Sequence, residues 1–299
     1  MLDKISKQEK NIKEFMRGTS VEVTPGGARA IEDFSEILRP GTIVYVTFLP
    51  GSDFNATVET VSRLKLEGFY PIPHFAARSI ESEKILEEGL ERLKEEADTT
   101  EALLIGGGVD NPLGPFSASI EVLRTGLFDK YGFKKIGVAG HPEGSPDITP
   151  QECAQAIQEK NDFSGHTDAD LYLATQFLFE AEPLFKWEKA IRSQGNKLPI
   201  HVGIPGLATI PTLIRHARQC GVGPSVRFLK KNPIDLFKMS LSNTPLGKFI
   251  NAPSSNPSKL IFDIVSGLTV DSDCLINKCH LYPLGGLKKS IDWPVNRFF

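Results

Sequence analysis

Eight short runs of apolar and β-branched residues, at about 20–24, 43–47, 70–74, 102–106, 135–139, 171–176, 200–204 and 279–283, punctuate this chain. Most of the spacings, 23 to 36 residues from one start to the next, leave room for a crossover helix between two parallel strands. The runs are apolar on consecutive positions, the pattern of strands buried on both faces. Eight repeats of strand and helix favour a closed (βα)8 TIM barrel, an α/β fold, over an open sheet. The 299 residues suit one such barrel, which typically needs about 250. The chain therefore reads as a single domain over 1–299, with 1–18 an amphipathic helix covering the bottom of the barrel.

One interval, from about 204 to 279, is too long for a single crossover. It holds helical patterns at 210–220, 233–250 and 257–267, so extra helices are expected before the last strand. Residues 251–258, Asn-Ala-Pro-Ser-Ser-Asn-Pro-Ser, read as a loop. Thr149-Pro-Gln-Glu152 supplies a capping hydroxyl, a proline at the first helical position and a glutamate three residues after the cap. A helix must start there, which makes 140–148 the strand-to-helix turn after strand five. After the eighth strand, Lys288-Lys-Ser-Ile-Asp-Trp-Pro reads as a terminal helix or cap in which Trp293 packs.

Hydrophobic residues make up 40% and charged residues 24%, with a mean hydropathy of -0.15, as in a water-soluble globular protein. A net charge of -3 provides no general basic surface for nucleic acid or for an anionic membrane. The first residues, Met1-Leu-Asp-Lys-Ile-Ser-Lys-Gln, lack the apolar run of a secretion signal, and a cytoplasmic location is expected. Cys153, Cys220, Cys274 and Cys279 have no paired short spacing, which argues against a zinc site or a disulfide framework; no metal is expected.

Polar residues collect at the C-terminal ends of the apolar runs, where a barrel of parallel strands builds its active site. Ser20-Val-Glu-Val-Thr-Pro25 ends one strand, Ala139-Gly-His-Pro-Glu-Gly-Ser145 another and Ala174-Thr-Gln-Phe-Leu-Phe-Glu180 a third. Glu22 stands in an otherwise apolar strand, where an unpaired carboxylate is costly, so it is either an acid with a chemical task or half of a structural ion pair. Gln176 offers a donor and an acceptor on one amide; it either meets a ligand or satisfies loop backbone. His74 is open to two readings, a ligand contact or a strand-end histidine bonded to a nearby carbonyl.

These segments resemble motifs of the methylenetetrahydrofolate reductase family. Ser20-Val-Glu-Val-Thr-Pro is similar to the family's S-F-E-F-x-P, Val44-Tyr-Val-Thr-Phe to V-S-V-T-Y and Pro73-His-Phe-Ala-Ala-Arg78 to P-H-L-T-C-x. Val138-Ala-Gly-His-Pro-Glu-Gly resembles A-A-Y-P-E-x-H, and Ala174-Thr-Gln-Phe-Leu-Phe-Glu resembles I-T-Q-F-F-F-D. Gly203-Ile-Pro-Gly and His280-Leu-Tyr-Pro-Leu are similar to P-G-I and H-F-Y-T-L, so the resemblance is collinear from about residue 20 to 284.

The resemblance implies a barrel that binds FAD and reduces 5,10-methylenetetrahydrofolate to 5-methyltetrahydrofolate, with NADH or NADPH as co-substrate. It implies Glu22 as general acid and Asp110 as the acidic residue between flavin and pterin. Thr47, His74, Gly107, Asp110, Ala139, His141, Ser145 and Lys160 would surround the flavin. Gln176, Phe179, Ile210 and Tyr282, with Glu22, would meet the folate. Association of copies through barrel surfaces is also implied.

Several positions depart from the family. His141 replaces a tyrosine, and Ser145 falls where the family has histidine. Gly106-Gly-Gly-Val-Asp-Asn-Pro-Leu-Gly114 replaces L-R-G-D, so the loop arginine is absent. Of the pattern D-x-x-N-x-x-x-K, aligned with Cys153, Ala156 and Lys160, only the lysine is kept. Ile210 stands where the family stacks a phenylalanine on the nicotinamide and folate rings. Two alternatives follow, a flavin-independent NAD(P)H reductase of the same folate and a non-redox folate-binding or methyl-transfer partner.

Overall fold

The computed structural model describes residues 2–49, 51–219, 254–255 and 257–298. All eight expected strands are present: β1 (Ser20–Val23), β2 (Ile43–Val46), β3 (Tyr70–Ala76), β4 (Glu101–Ile105), β5 (Lys135–Gly140), β6 (Asp170–Phe177), β7 (Ile200–Pro205) and, after two short strands, β10 (Ile276–Tyr282). They close into a parallel barrel in the order β1-β10-β7-β6-β5-β4-β3-β2. Closure depends on Ser20 pairing with His280 and Val21 with Leu281, which brings the first and last strands together.

Burial on both faces explains the apolar runs. On the outer face Val21, Val23, Val44, Val46, Leu104, Val138 and Leu173 pack against the surrounding helices. Inside, Tyr45, Ile72, Leu103 and Tyr172 form a separate cluster, and the Tyr45 and Tyr172 hydroxyls meet at 2.6 Å across the barrel. His201 stacks on Tyr172 at 3.9 Å. The interior is thus more polar than the apolar runs suggest. This also explains why β10 starts at Ile276, earlier than expected: the strand includes Lys278, which breaks the apolar run.

The helix expected after strand five runs Pro150–Phe163, and the Thr149 and Glu152 side chains exchange bonds in a capping box. The long interval holds helices Ile210–Gln219 and Ser258–Leu268. The candidate at 233–250 and Cys220 lie outside the described residues. Within the expected loop 251–258, Ser254–Ser255 (β9) instead pairs antiparallel with Ala208–Thr209 (β8). The N-terminal helix Leu2–Met16 buries Ile12, Phe15 and Met16 and joins the Ser258–Leu268 helix through a Gln8 Nε2 to Ser266 Oγ bond of 2.8 Å. A terminal helix covers Leu287–Phe298. Among the described residues no helix is long and apolar enough to cross a membrane.

Candidate active site

Period-2 alternation turns Ser20 and Glu22 inward, because Val21 and Val23 serve the outer core. Glu22 Oε2 comes to 3.6 Å from Nε2 of His280 on the adjoining last strand, with side-chain exposures of 17% and 7%. The other ring nitrogen of His280 is hydrogen-bonded to Ser20 Oγ at 2.9 Å. Tyr45 and Tyr282 pack edge-on against the same imidazole, at 4.5 and 4.7 Å between ring centres. The Glu22 carboxylate therefore faces a ring that is fixed by one hydrogen bond and two aromatic neighbours.

Gln176, at the end of β6, sits in an irregular stretch where the register against β7 shifts between Ala174 and Phe177. Bulges of this kind re-aim side chains near sites. Gly203 makes the shift possible: a Cβ there would lie 2.7 Å from the Gln176 carbonyl and 2.7 Å from the Tyr282 ring. Thr175 Oγ1 accepts the Gly203 amide at 2.9 Å, and Tyr282 donates its hydroxyl to the Thr175 carbonyl at 2.9 Å. Gln176 Oε1 accepts from the Phe177 amide at 3.0 Å, which is the backbone contact considered from sequence. Its Nε2 has no protein partner among the described residues and can donate to a ligand.

Phe177, Phe179 and Tyr282 adjoin edge-on and share an apolar cluster with Ala208, Leu213 and Ile214. Ile210 opens the helix that carries Leu213 and Ile214. Glu22, His280, Tyr282, Phe177 and Phe179 are thus linked by contact into one wall, and Gln176 joins it through the Thr175 and Phe177 backbone.

A second group stands on β3, at the end of β5 and on the helix after it. His74 is buried on β3 and packs edge-on to Tyr45 at 5.6 Å. Its Nε2 has no partner among the described residues, so none of their carbonyls satisfies that nitrogen. Burial first, and the charge of His280 second, push its pKa down to about 3. His141, just past β5, has a buried Nδ1 without a partner among the described residues and a pKa lowered to about 4 by burial and then by Lys160. Lys160 reaches in from the Pro150–Phe163 helix, is 4% exposed, and donates to the Ala139 carbonyl at 3.1 Å.

Thr47, beyond β2, donates to the Val23 carbonyl at 3.3 Å. Ser145 accepts from the Asp147 amide at 3.2 Å. Gly107 has φ +94°, the left-handed region, and a Cβ there would come to 3.0 Å from Ala76 Cβ. Asp110 is exposed on the same loop, and no contact joins it to the Glu22 group. His166 is exposed as well.

Four residues of weight escaped sequence reasoning: His280, Ser20, Thr175 and Arg78. His280 and Tyr282 are two apart, so a strict period-2 reading of the last strand places both inside. The Ser20 and Glu22 contacts with His280 need the closure of β1 on β10, which no local pattern encodes.

The buried, unpartnered nitrogens of His74 and His141, the buried Lys160 ammonium and the close backbone at Gly107 fit a polar, phosphate-bearing cofactor such as FAD. Cys153 and Ala156 bring no carboxylate or amide to the helix that carries Lys160. Among the described residues no cluster of His, Cys, Asp and Glu could hold a metal ion.

Residues 117–234 match the family model for methylenetetrahydrofolate reductase. The match includes His141, Lys160 and Gln176, whereas Glu22, His74 and Tyr282 lie outside it. Methylenetetrahydrofolate reductase 1 of Schizosaccharomyces pombe (strain 972 / ATCC 24843) is 32% identical over 104 residues, 34% of this chain; the chain thus spans 16% of the length of that curated relative. A GH18 chitinase from Pseudoalteromonas aurantia is similar in structure at a TM-score of 0.47 and 11% identity, over 89% of this chain and 94% of that one. A putative lyase/mutase from Burkholderia cenocepacia J2315 is similar at 0.45 and 10%, over 97% and 86%. Structural likeness of that degree carries no functional argument. The sequence match and the curated relative thus make residues 117–234 of this chain similar to methylenetetrahydrofolate reductases.

Proposed function

We propose that this barrel interconverts 5,10-methylenetetrahydrofolate and 5-methyltetrahydrofolate, with hydride from NADH or NADPH passing through FAD. The observation that carries this reading is the joining of Glu22, His280, Tyr282 and the Phe177–Phe179 pair into one wall, with the free Gln176 amide beside it. Cytoplasmic location and association of copies through barrel surfaces accompany the reading.

Opening the five-membered ring of the substrate expels an arylamine nitrogen, which leaves only as it gains a proton. Glu22 is the group to supply it, because it is the carboxylate that faces inward beside the aromatic wall. His280, held by Ser20, keeps that carboxylate in one place. Gln176 donates its amide to the pterin while its oxygen stays on the Phe177 backbone. Phe179 and Tyr282 cover the rings and exclude water from the iminium carbon that accepts hydride. His74, His141 and Lys160 hold the flavin, with Thr47, Gly107, Ala139 and Ser145 forming its backbone-lined bed. When bound, FAD carries hydride between nicotinamide and folate. Asp110 completes the acidic set only if its exposed loop folds over the ligand.

Turnover of methylenetetrahydrofolate with NADH and added FAD tests the reading, alongside Glu22→Gln. General acid catalysis is worth about 10²- to 10⁴-fold, so the variant should lose that much turnover while folate affinity stays within a few-fold. Equal turnover in the variant and the parent contradicts the assignment of Glu22. A protein that oxidises NADH with folate in the absence of any flavin favours direct transfer, the alternative that the apolar Cys153 and Ala156 positions suggest.

A further inference from the structure

We propose that Arg78, on the turn after β3, is this chain's cation for the diphosphate of a dinucleotide, and that Asp147 holds the guanidinium until the phosphate replaces it. The inference rests on the reading above only in expecting a dinucleotide at this mouth; FAD and NAD(P)H share the diphosphate chemistry.

The loop after β4, Gly106-Gly-Gly-Val-Asp110, has no basic residue of its own. Arg78 reaches that loop from the neighbouring strand and donates through Nη2 to the Gly107 carbonyl. Its backbone is anchored on both sides, by Arg78 N to Gly106 O and by Leu113 N to Arg78 O, each 2.9 Å. The side chain is 19% exposed, and its Nε is buried without a partner among the described residues. A guanidinium carries five N–H donors in a fork that matches phosphate oxygens in pairs. Leaving one of them buried and unused is costly, and a ligand oxygen removes the cost.

Asp147 approaches Arg78 Nη2 at 3.5 Å from the turn after β5, with its own side chain 50% exposed. An exposed pair at that distance contributes about 0–1 kcal/mol, so a phosphate that takes the fork displaces it readily. Asp147 and Lys160 both act electrostatically on His141. Arg78, Asp147, His141 and Lys160 therefore share one corner, formed by the ends of β3 and β5 and the start of the β4 loop. Gly107, at its left-handed φ and against Ala76, keeps its carbonyl within reach of Arg78.

The test measures dissociation constants of FAD, NADH and ADP for the full chain and for Arg78→Ala, Arg78→Lys and Asp147→Asn, with far-ultraviolet circular dichroism to confirm folding. Arg78→Ala should weaken the occupant by about 10- to 100-fold, the worth of a charged hydrogen-bonded contact. Arg78→Lys should recover part of that loss, and Asp147→Asn should tighten binding a few-fold; folate affinity should not move. Loss of FAD affinity in Arg78→Ala supports both the proposal and the flavin reading. A parent chain that binds NADH or ADP but not FAD, and loses that binding in Arg78→Ala, supports the proposal and sinks the flavin reading. Unchanged affinity for all three ligands in Arg78→Ala, or no binding of any by the parent, overturns it. Should Arg78→Ala fail to fold, parent-like affinities in both Arg78→Lys and Asp147→Asn overturn it equally.

Discussion

Lys160→Met should stabilise the ligand-free protein near neutral pH and weaken its hold on a dinucleotide. The Lys160 ammonium is buried against one carbonyl, that of Ala139 at 3.1 Å, and burial lowers its pKa from the usual 10.5 to about 8. At roughly 1.4 kcal/mol per pH unit, keeping that charge inside costs about 3 kcal/mol. Methionine fills similar volume without charge, and the Ala139 carbonyl left without its donor takes back about 1 kcal/mol. The net gain is about 2 kcal/mol, which for a chain of this size raises the midpoint of thermal unfolding by about 3 °C.

The pH dependence carries the sharper test. Between about 8 and 10.5 the folded protein has released the Lys160 proton while the unfolded chain still holds it, so the parent gains stability as pH rises through that window. Below the folded value both states are protonated and the cost is constant. Urea unfolding of both proteins across the window should therefore show the advantage of Lys160→Met flat in the neutral range and vanishing as pH approaches the usual lysine value. A variant less stable than the parent near neutral pH, or a difference that ignores pH, refutes the reasoning.

Three further outcomes follow from contacts across the barrel. Gly203→Ala should cost about 1–3 kcal/mol by urea unfolding, because its methyl meets the Gln176 backbone and the Tyr282 ring at 2.7 Å, and should weaken folate binding more than FAD binding. Tyr45→Phe leaves the Tyr172 hydroxyl without its 2.6 Å partner inside the barrel and should cost about 1–3 kcal/mol. Phe128→Ala, which removes a fully buried ring packed edge-on to Phe75 and Phe133, should cost about 3–5 kcal/mol with site chemistry intact.

The strands were legible because burial on both faces leaves few polar residues to confuse the pattern, and the Thr149–Glu152 capping box marked its helix start without help from the rest of the fold. Glu22 and Gln176 were legible as polar residues where apolar ones are expected. Their surroundings were not. The Glu22–His280 approach joins positions 258 apart in sequence, and the Tyr45–Tyr172 bond spans 127; both arise from barrel closure. The shift in β6 that engages the Gln176 oxygen depends on Gly203 in the next strand, so it has no local signature. Arg78 was hidden for a similar reason: its chemistry lies in reaching a loop that belongs to a different strand.

The most direct test of the central claim is the visible absorption spectrum of the protein with FAD under anaerobic conditions, followed as NADH and then methylenetetrahydrofolate are added. Hydride passage through the flavin predicts bands that bleach with NADH and return with the folate, in stoichiometric steps. A protein that retains no FAD, or whose flavin bleaches with NADH and stays bleached when the folate is added, contradicts it.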